Sequence, residues 1–286
     1  MEKILTVSIE AYNVEQYITE TLDSLLCKNK EKLEILVIND GSKDKTQTIA
    51  EQYQEKYPSI FKIVNKQNGG YGSTINKGIE LATGKYFKQL DGDDKFDTKY
   101  LDRLLEELEN IDVDIVYNPY YLWHDDKLEI VHCGIEGKKN ASLDINDCLH
   151  NFKNDLVMYS LAYKTDLLKK NNIRILENSF YTDSEYALYP FLYAKYAKTM
   201  KIFDFPIYIY QIGNVGQSAS AVGMRKHYLD FDKVINSIID KNIKNKNEFL
   251  YASHKENKTV NTFRNGKYIT YTLLHFYLKC KYKSVK

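Results

Sequence analysis

The chain has 286 residues, of which 43% are hydrophobic and 28% are charged, so it is long and apolar enough to fold around a large buried core. It contains only four prolines and 13 glycines, a composition that excludes a disordered or fibrous protein. The net charge is +1, and the four cysteines have neither metal-ligand spacing nor the pattern of a small disulfide scaffold.

The first 110 residues alternate strand-like runs with amphipathic helical stretches. Four apolar runs predict buried strands, at 4–9, 33–38, 60–64 and 86–90. Each run is followed by apolar residues at helical spacing. Repeated strand–helix units require right-handed crossovers, which predicts an α/β fold with a mainly parallel sheet covered by helices on both faces.

Beyond residue 110 the pattern changes. A further strand is predicted to begin within 114–121, and mixed strands and helices follow it. After Met224 the sequence becomes helical and basic, with 14 Lys/Arg against five Asp/Glu in 225–286, a net charge of +9. We therefore expect a domain at 1–224 and a basic helical C-terminal extension at 225–286.

The basic extension predicts an anionic partner, which is a membrane surface or phosphorylated lipid, or else contact with a second copy of the chain. A solvated helical face is the alternative. Nucleic acid is not expected, because the basic residues match no motif that reads DNA or RNA. The apolar start is too short to span a bilayer and lacks the shape of a secretory signal. These features predict a cytoplasmic protein whose extension can contact the inner face of the membrane.

Polar residues follow the end of each of the first four predicted strands. Tyr12 and Asn13 follow the first strand, Asp40 the second, Asn68 and its neighbouring glycines the third, and Asp91 the fourth. Ligands of open α/β sheets bind beyond the carboxyl ends of the strands. The four loops are therefore expected to converge on one crevice.

The fourth of these loops concentrates negative charge. The stretch KQLDGDDKFD places Asp91, Asp93 and Asp94 within four positions. Carboxylates this close repel one another unless a cation lies between them, which predicts a divalent metal site. Alternate side chains of an extended segment face the same way, so Asp91 and Asp93 can meet one Mg²⁺ or Mn²⁺ ion, while Gly92 lets the backbone approach a ligand. A turn or a helix cap is the alternative interpretation.

Two glycine-rich motifs that bind nucleotide phosphates directly are absent. The sequence has no Gly-x-x-x-x-Gly-Lys-Ser/Thr loop, and Ile75 stands at the third glycine of a dinucleotide fingerprint that starts at Gly70. A phosphate ligand is therefore expected to be held through the metal.

Four blocks occur in order: TVSIEAYN at 6–13, EILVINDGSKDKT at 34–46, NGG at 68–70 with NKG at 76–78, and ATGKY at 82–86 leading to DGDD at 91–94. Together they resemble the signature of family 2 glycosyltransferases with the Rossmann-like GT-A fold. The resemblance implies a hexosyltransferase that moves a sugar from a nucleotide sugar, most often a UDP sugar, to a hydroxyl of a saccharide, glycoprotein or lipid-linked acceptor, with inversion. Residues 1–110 would form the nucleotide-binding half and 111–224 the acceptor-binding half.

The resemblance also implies roles for single residues. Tyr12 lies against the base, Asp40 hydrogen-bonds it, Asp91 faces the ribose or the metal, and Asp93 binds the metal, Mn²⁺ or Mg²⁺, with Asp91. Other residues are expected to line the donor site: Glu10, Asn13, Ser42, Asn68, Gly70, Asn76, Gly92, and Gln217 with Ser218 in a loop that closes over the diphosphate. A core tyrosine is the alternative for Tyr12, and a turn former is the alternative for Asp40.

Inversion needs a base that takes the proton from the acceptor hydroxyl. The family usually carries this aspartate in a Glu-Asp pair, and Asp183 is the matching position, with Thr182 in place of the glutamate. Glu185 is the alternative base, and capping of the following helix is the alternative role for Asp183. Asn39 also departs from the family, which often has an aspartate there.

Two other functions remain open. A haloacid-dehalogenase-type phosphatase also uses Asp-x-Asp, but it requires Thr or Val two residues after the second aspartate, where Lys95 stands. A non-catalytic glycosyltransferase-like scaffold is consistent with the departures at Thr182 and Asn39. The Gln-x-x-Arg-Trp motif and the membrane helices of the family's processive synthases are missing, which predicts transfer of one sugar per encounter.

Overall fold

Two sheets organise the computed structural model, which describes residues 2–124, 127–132, 142–144, 157–192, 197–213, 227, 229–230, 233–234 and 236–238. Within those residues the strands in chain order are β1 (Leu5–Ala11), β2 (Leu33–Asn39), β3 (Phe61–Asn65), β4 (Tyr86–Asp91), β5 (Lys95–Phe96), β6 (Ile115–Tyr117), β7 (Tyr120–His124), β8 (Lys127–Val131), β9 (Ser142–Asp144), β10 (Leu161–Lys164), β11 (Thr199–Ile202) and β12 (Tyr208–Gln211).

The larger sheet has eight strands in the order β3-β2-β1-β4-β10-β6-β11-β9. Strands β9 and β10 run antiparallel to their neighbours, and the other six strands run in one direction. A smaller sheet has the order β5-β12-β7-β8. The prediction of a mainly parallel sheet therefore holds for the larger sheet.

Helices pack on the larger sheet, and their buried apolar side chains join those of the strands in two cores. They are α1 (Ile18–Asp23), α2 (Thr46–Lys56), α3 (Tyr71–Leu81), α4 (Thr98–Glu109), α5 (Thr165–Lys170) and α6 (Asp183–Leu192). Every residue of β1 is buried, as expected for a strand that is covered on both faces. Tyr86 and Leu90 pack into one core and the intervening Phe87 into the other. None of the described helices combines the length and apolar character needed to cross a bilayer.

The predicted strand within 114–121 is in fact two strands, β6 and β7, which belong to different sheets. Pro119 lies between them and has no N–H to donate to a ladder, so pairing stops there. The side chain of Asn118 donates to the Phe205 carbonyl at 3.1 Å, and its backbone N–H donates to the Ser160 carbonyl at 2.8 Å. These bonds replace the interrupted ladder and turn the chain toward the smaller sheet.

A short part of the predicted C-terminal extension packs on the domain. Val234 and Ile238 are buried in the same core as Ile75 and Phe87. The packing of the domain therefore continues past Met224, the predicted boundary. Most of 225–286 lies outside the described residues, so its contact with a membrane surface or a second copy stays a prediction.

Candidate active site

The crevice forms where β1, β2 and β4 end side by side. Ala11 pairs with Asn39 across β1 and β2, and Glu10 pairs with Asp91 across β1 and β4. The loops that follow these strands are tied together by backbone bonds, from Asp40 to the Ala11 carbonyl at 2.9 Å and from Gly92 to the Glu10 carbonyl at 3.0 Å. The parallel register thus brings the predicted site loops to one edge of the sheet.

The loops after β1 and β2 hold each other and leave Tyr12 open. Asn13, with φ +54°, donates its backbone N–H to Ser42 Oγ at 3.0 Å and accepts from the Lys43 N–H at 2.8 Å. The polar side chains of Asn13 and Ser42 are therefore used between the two loops. Tyr12 is 50% exposed, so it is not a core tyrosine. Its ring is available to a ligand.

Asp40 is buried, and its carboxylate is bound by the protein. Lys66 Nζ donates to one oxygen at 2.5 Å, and the backbone N–H groups of Gly69 and Gly70 each donate to the carboxylate at 3.0 Å. The exposed Asn68 adds a bond from its side chain to the Asp40 carbonyl at 3.0 Å. Asp40 thus anchors the 68–70 turn, and its predicted contact with a base stays a prediction.

The 68–70 turn packs against the loop that leads toward Asp183. Gly70 has φ +79°, a conformation that strongly favours glycine. A Cβ on Gly72 would lie 2.0 Å from the Leu176 carbonyl oxygen, so only glycine permits this approach. The Asn178 N–H donates to the Gly69 carbonyl at 2.8 Å. The turn and the start of α3 therefore connect the first 110 residues to the later part of the chain.

Asn76 strengthens the same connection from within α3. Its side-chain amide donates to the Ile175 carbonyl and to Glu177, each at 2.9 Å, and its oxygen accepts from the Ile175 N–H at 2.8 Å. Asn76 is buried, and these three bonds occupy its polar atoms. Asn76 thus holds this loop, and its predicted place in the donor site stays a prediction.

The acidic loop gathers three carboxylates, from Asp91, Asp93 and Asp94, whose oxygens lie within 4.8 Å of one another. Asp94 is 2% exposed, and it accepts from the Tyr208 hydroxyl at 2.7 Å and from the Gln211 N–H at 2.8 Å. Burial, followed by the charges of Asp91 and Asp93, raises the pKa of Asp94 well above its usual value. Asp91 and Asp93 are half-buried whereas Asp94 is buried, so Asp91 and Asp93 are the more accessible pair of carboxylates for a cation.

Tyr71, at the start of α3, also belongs to this site. Its hydroxyl donates to Asp91 Oδ1 at 2.5 Å. The pKa of Tyr71 is raised by burial and then by the negative charges of Asp91, Glu10 and Asp183. The sequence reasoning missed both Tyr71 and Tyr208. Tyr71 had one usable signal, since it directly follows the glycine pair of the third block.

Glu10 lies beneath the acidic loop, on the face of β1 that meets α3. It accepts from Ser8 Oγ at 3.2 Å, and the Gln89 amide, with its nitrogen oriented toward Glu10, donates to Oε2 at 2.8 Å. Burial and the neighbouring Asp91 charge raise the pKa of Glu10 well above its usual value. The side chain is buried, so it contributes to the floor of the site.

The two candidate bases have different surroundings. Glu185 is fully buried and accepts from the Leu176 N–H at 2.5 Å, so it holds the 175–178 segment in place. Asp183 is half-buried and begins α6. A base must be reachable by the acceptor hydroxyl, which favours Asp183. Gln217 and Ser218 lie outside the described residues.

Comparison with known proteins gives the family and the fold. The family model for "Glycosyl transferase family 2" matches residues 6–166. The uncharacterized glycosyltransferase EpsJ of Bacillus subtilis is 31% identical over 216 residues, which cover 74% of this chain and 62% of EpsJ. The chain spans 40% to 62% of the length of three curated relatives that it matches.

Solved structures give the fold. S. aureus TarS residues 1–349, in complex with UDP-GlcNAc, superposes with a TM-score of 0.65 at 19% identity, over 96% of this chain and 80% of that one. The mannosyltransferase PcManGT from Pyrobaculum calidifontis, in complex with GDP-Man and Mn²⁺, gives a TM-score of 0.56 at 14% identity, over 98% and 87%. At such identities the likeness establishes the fold alone, and the predicted GT-A α/β fold is confirmed.

Proposed function

The chain belongs to glycosyl transferase family 2, and we propose that it transfers a sugar from a UDP sugar to a hydroxyl of a saccharide, glycoprotein or lipid-linked acceptor. One observation carries the proposal: the register of β1, β2 and β4 brings the loops that carry Tyr12, Asp40 and the acidic pair Asp91 and Asp93 to one edge of the sheet, where open α/β sheets bind ligands. The negative charge of Asp183 contributes to the raised pKa of Tyr71, which supports a place for Asp183 beside the acidic loop. The nucleotide sugars bound by TarS and by the mannosyltransferase support a donor of this class.

Asp91 and Asp93 would hold a divalent cation, Mn²⁺ or Mg²⁺. The fit is chemical, since two half-buried carboxylates next to a third whose oxygens are already bound leave oxygen ligands for a hard cation. A bound cation supplies positive charge that stabilises the departing diphosphate. The Mn²⁺ present with the mannosyltransferase supports this choice of ion.

Tyr12 and Asp40 would select the nucleotide. The half-exposed ring of Tyr12 offers a face for the base. Asp40 has about four acceptor sites on its carboxylate, of which the protein uses three, so one lone pair remains for a base N–H. Other predicted donor-site residues, Asn13, Ser42 and Asn76, act by holding the loops in place, because their polar atoms bind the protein.

Asp183 would act as the general base. The acceptor oxygen attacks the anomeric carbon while its proton passes to the Asp183 carboxylate. The bond between the anomeric carbon and the diphosphate oxygen breaks, and its electron pair leaves with the nucleoside diphosphate. Attack opposite the leaving group inverts the anomeric configuration.

A panel of nucleotide sugars tests the proposal, with Mn²⁺, Mg²⁺ or EDTA, read by thermal shift and by release of free nucleotide. A UDP sugar is expected to raise the melting temperature only with a divalent cation, and Asp93→Ala is expected to abolish that shift. Asp23→Asn, an exposed aspartate on α1, is the matched control. Stabilisation without turnover for any acceptor would indicate a scaffold, and phosphate release from simple esters would indicate a phosphatase. Either result contradicts the proposal.

A further inference from the structure

We propose that Tyr71 is a positioning residue for Asp91, whose phenol holds one carboxylate oxygen so that the other faces the cation. The inference rests on the proposed function and adds a residue to it. The sequence signal for Tyr71, its place directly after the glycine pair of the third block, does not distinguish this role from packing.

The contact itself is short and directional. The Tyr71 hydroxyl lies 2.5 Å from Asp91 Oδ1 and 2.9 Å from the Met158 sulfur. The hydroxyl has one proton, and a carboxylate is a much stronger acceptor than a thioether. The proton is therefore donated to Asp91. This hydrogen bond fixes the rotation of the carboxylate about the Cβ–Cγ bond.

A neutral donor suits a metal ligand in a way that a lysine does not. Asp40 shows the contrast, since it is paired with the Lys66 ammonium at 2.5 Å and its charge is balanced within the protein. An ammonium at the same place on Asp91 would compete with a cation for the carboxylate. The Tyr71 phenol orients Asp91 and leaves its negative charge available.

The backbone that leads into Tyr71 is held at two points. It is the first residue of α3 and follows Gly70, whose N–H is bound to Asp40 at 3.0 Å. The preceding carbonyl of Gly69 accepts from the Asn178 N–H at 2.8 Å. The buried Asp40 thus acts on Asp91 through the 68–70 turn and Tyr71, a connection between two site loops.

Tyr208 holds the other end of the acidic loop. Its hydroxyl donates to Asp94 at 2.7 Å and accepts from the Asp91 N–H at 3.2 Å. The backbone of Asp91 is therefore bound by one tyrosine and its side chain by another. Removing the Tyr71 hydroxyl is expected to loosen the orientation of the carboxylate while the loop backbone stays in place.

The test measures Mn²⁺ binding to the full chain in the presence of UDP, from the electron paramagnetic resonance signal of free Mn²⁺. Tyr71→Phe keeps the ring and is expected to weaken Mn²⁺ binding by about 10–100-fold, the usual effect of losing a partner of a metal ligand. Tyr53→Phe is the matched control, because Tyr53 also donates to a carboxylate, that of the exposed Asp23 at 2.7 Å, which lies on α1 and not in the acidic loop. It is expected to leave Mn²⁺ binding unchanged.

A double-mutant cycle with Asp91→Asn separates positioning from general damage. If Tyr71 acts through Asp91, Tyr71→Phe has no further effect on Mn²⁺ binding once Asp91 is replaced. An equal loss in both backgrounds overturns the inference, and so does a Tyr71→Phe variant that binds Mn²⁺ as tightly as Tyr53→Phe. If the wild-type chain itself binds no Mn²⁺ with UDP, the proposed function fails and the inference fails with it. If the wild-type chain binds Mn²⁺ and Tyr71→Phe binds it equally tightly, the inference alone fails.

Should Tyr71→Phe not fold, the wild-type protein crystallised with Mn²⁺ and UDP gives the answer. A Tyr71 hydroxyl still hydrogen-bonded to one Asp91 oxygen, with the metal on the other, supports the inference. A phenol turned away from Asp91 in that crystal overturns it.

Discussion

Replacing Asp40 by Asn isolates the contribution of one buried charge to the 68–70 turn. The carboxylate accepts from Lys66 at 2.5 Å and from the N–H groups of Gly69 and Gly70 at 3.0 Å each. In the Asn variant the remaining side-chain oxygen still accepts from one of the two backbone N–H groups. The amide NH₂ faces the other N–H group, and since both are donors, no hydrogen bond forms between them. One backbone N–H is then left without an acceptor, which costs about 1–3 kcal/mol.

The loss of the ion pair adds to this. Removing one partner of a fully buried pair costs about 3–5 kcal/mol, but less here, because the Lys66 side chain is 22% exposed and also donates to Gln67 and Ser73. We expect Asp40→Asn to lower the free energy of unfolding by about 2–4 kcal/mol in total. The melting temperature should fall by about 5–15 °C.

Urea denaturation of wild type, Asp40→Asn and the control Asp23→Asn measures this difference. Asp23 is exposed, and its side chain accepts a hydrogen bond from Tyr53 at the protein surface. The free energy of unfolding of Asp23→Asn is therefore expected to lie within about 0.5 kcal/mol of that of wild type. An Asp40→Asn variant as stable as wild type would show that the three bonds do not anchor the turn. The reasoning that links Asp40 to Tyr71 would then be refuted.

Three further predictions concern single side chains. Asp183→Asn is expected to bind the UDP sugar normally and to transfer no sugar. Glu185→Gln is expected to have a lower free energy of unfolding, because Glu185 accepts from the Leu176 N–H, and to retain sugar transfer per folded molecule. Sugar transfer and urea denaturation measure the two effects, and full transfer by Asp183→Asn would exclude it as the base. Burial lowers the pKa of Lys88 to about 7, so the unfolded chain binds more protons than the folded chain above that pH. The free energy of unfolding of wild type should therefore rise relative to Lys88→Met by about 2 kcal/mol between pH 7 and pH 9, and parallel pH profiles would contradict this.

The first half of the fold was predictable because its central strands are largely buried. Strand β2, Leu33–Asn39, carries four consecutive apolar residues, 35–38, and such a run can be recognised without knowing which strand pairs with it. The smaller sheet was not predicted. Its strands are short, β8 is largely exposed, and β5 pairs with β12 from more than 100 residues away. No local pattern encodes a pairing over that distance.

Some residues of the site could likewise be recognised from the sequence, and others could not. Asp91 and Asp93 stand out because charges crowd together just after an apolar run, a signal contained in ten residues. Tyr208 reaches the same loop across 117 residues, and its sequence neighbourhood is that of any core strand. Asn76 and Glu185 look like ligand or catalytic residues, yet their polar atoms hold the 175–178 segment. Which polar groups face a ligand and which face the protein is decided by tertiary packing.

The most direct measurement is an anomalous difference map from crystals of the whole chain grown with Mn²⁺ and UDP. The account predicts a manganese peak coordinated by Asp91 and Asp93, with the diphosphate on the same ion and the base beside Tyr12. A peak elsewhere, or UDP bound away from this crevice, would contradict it.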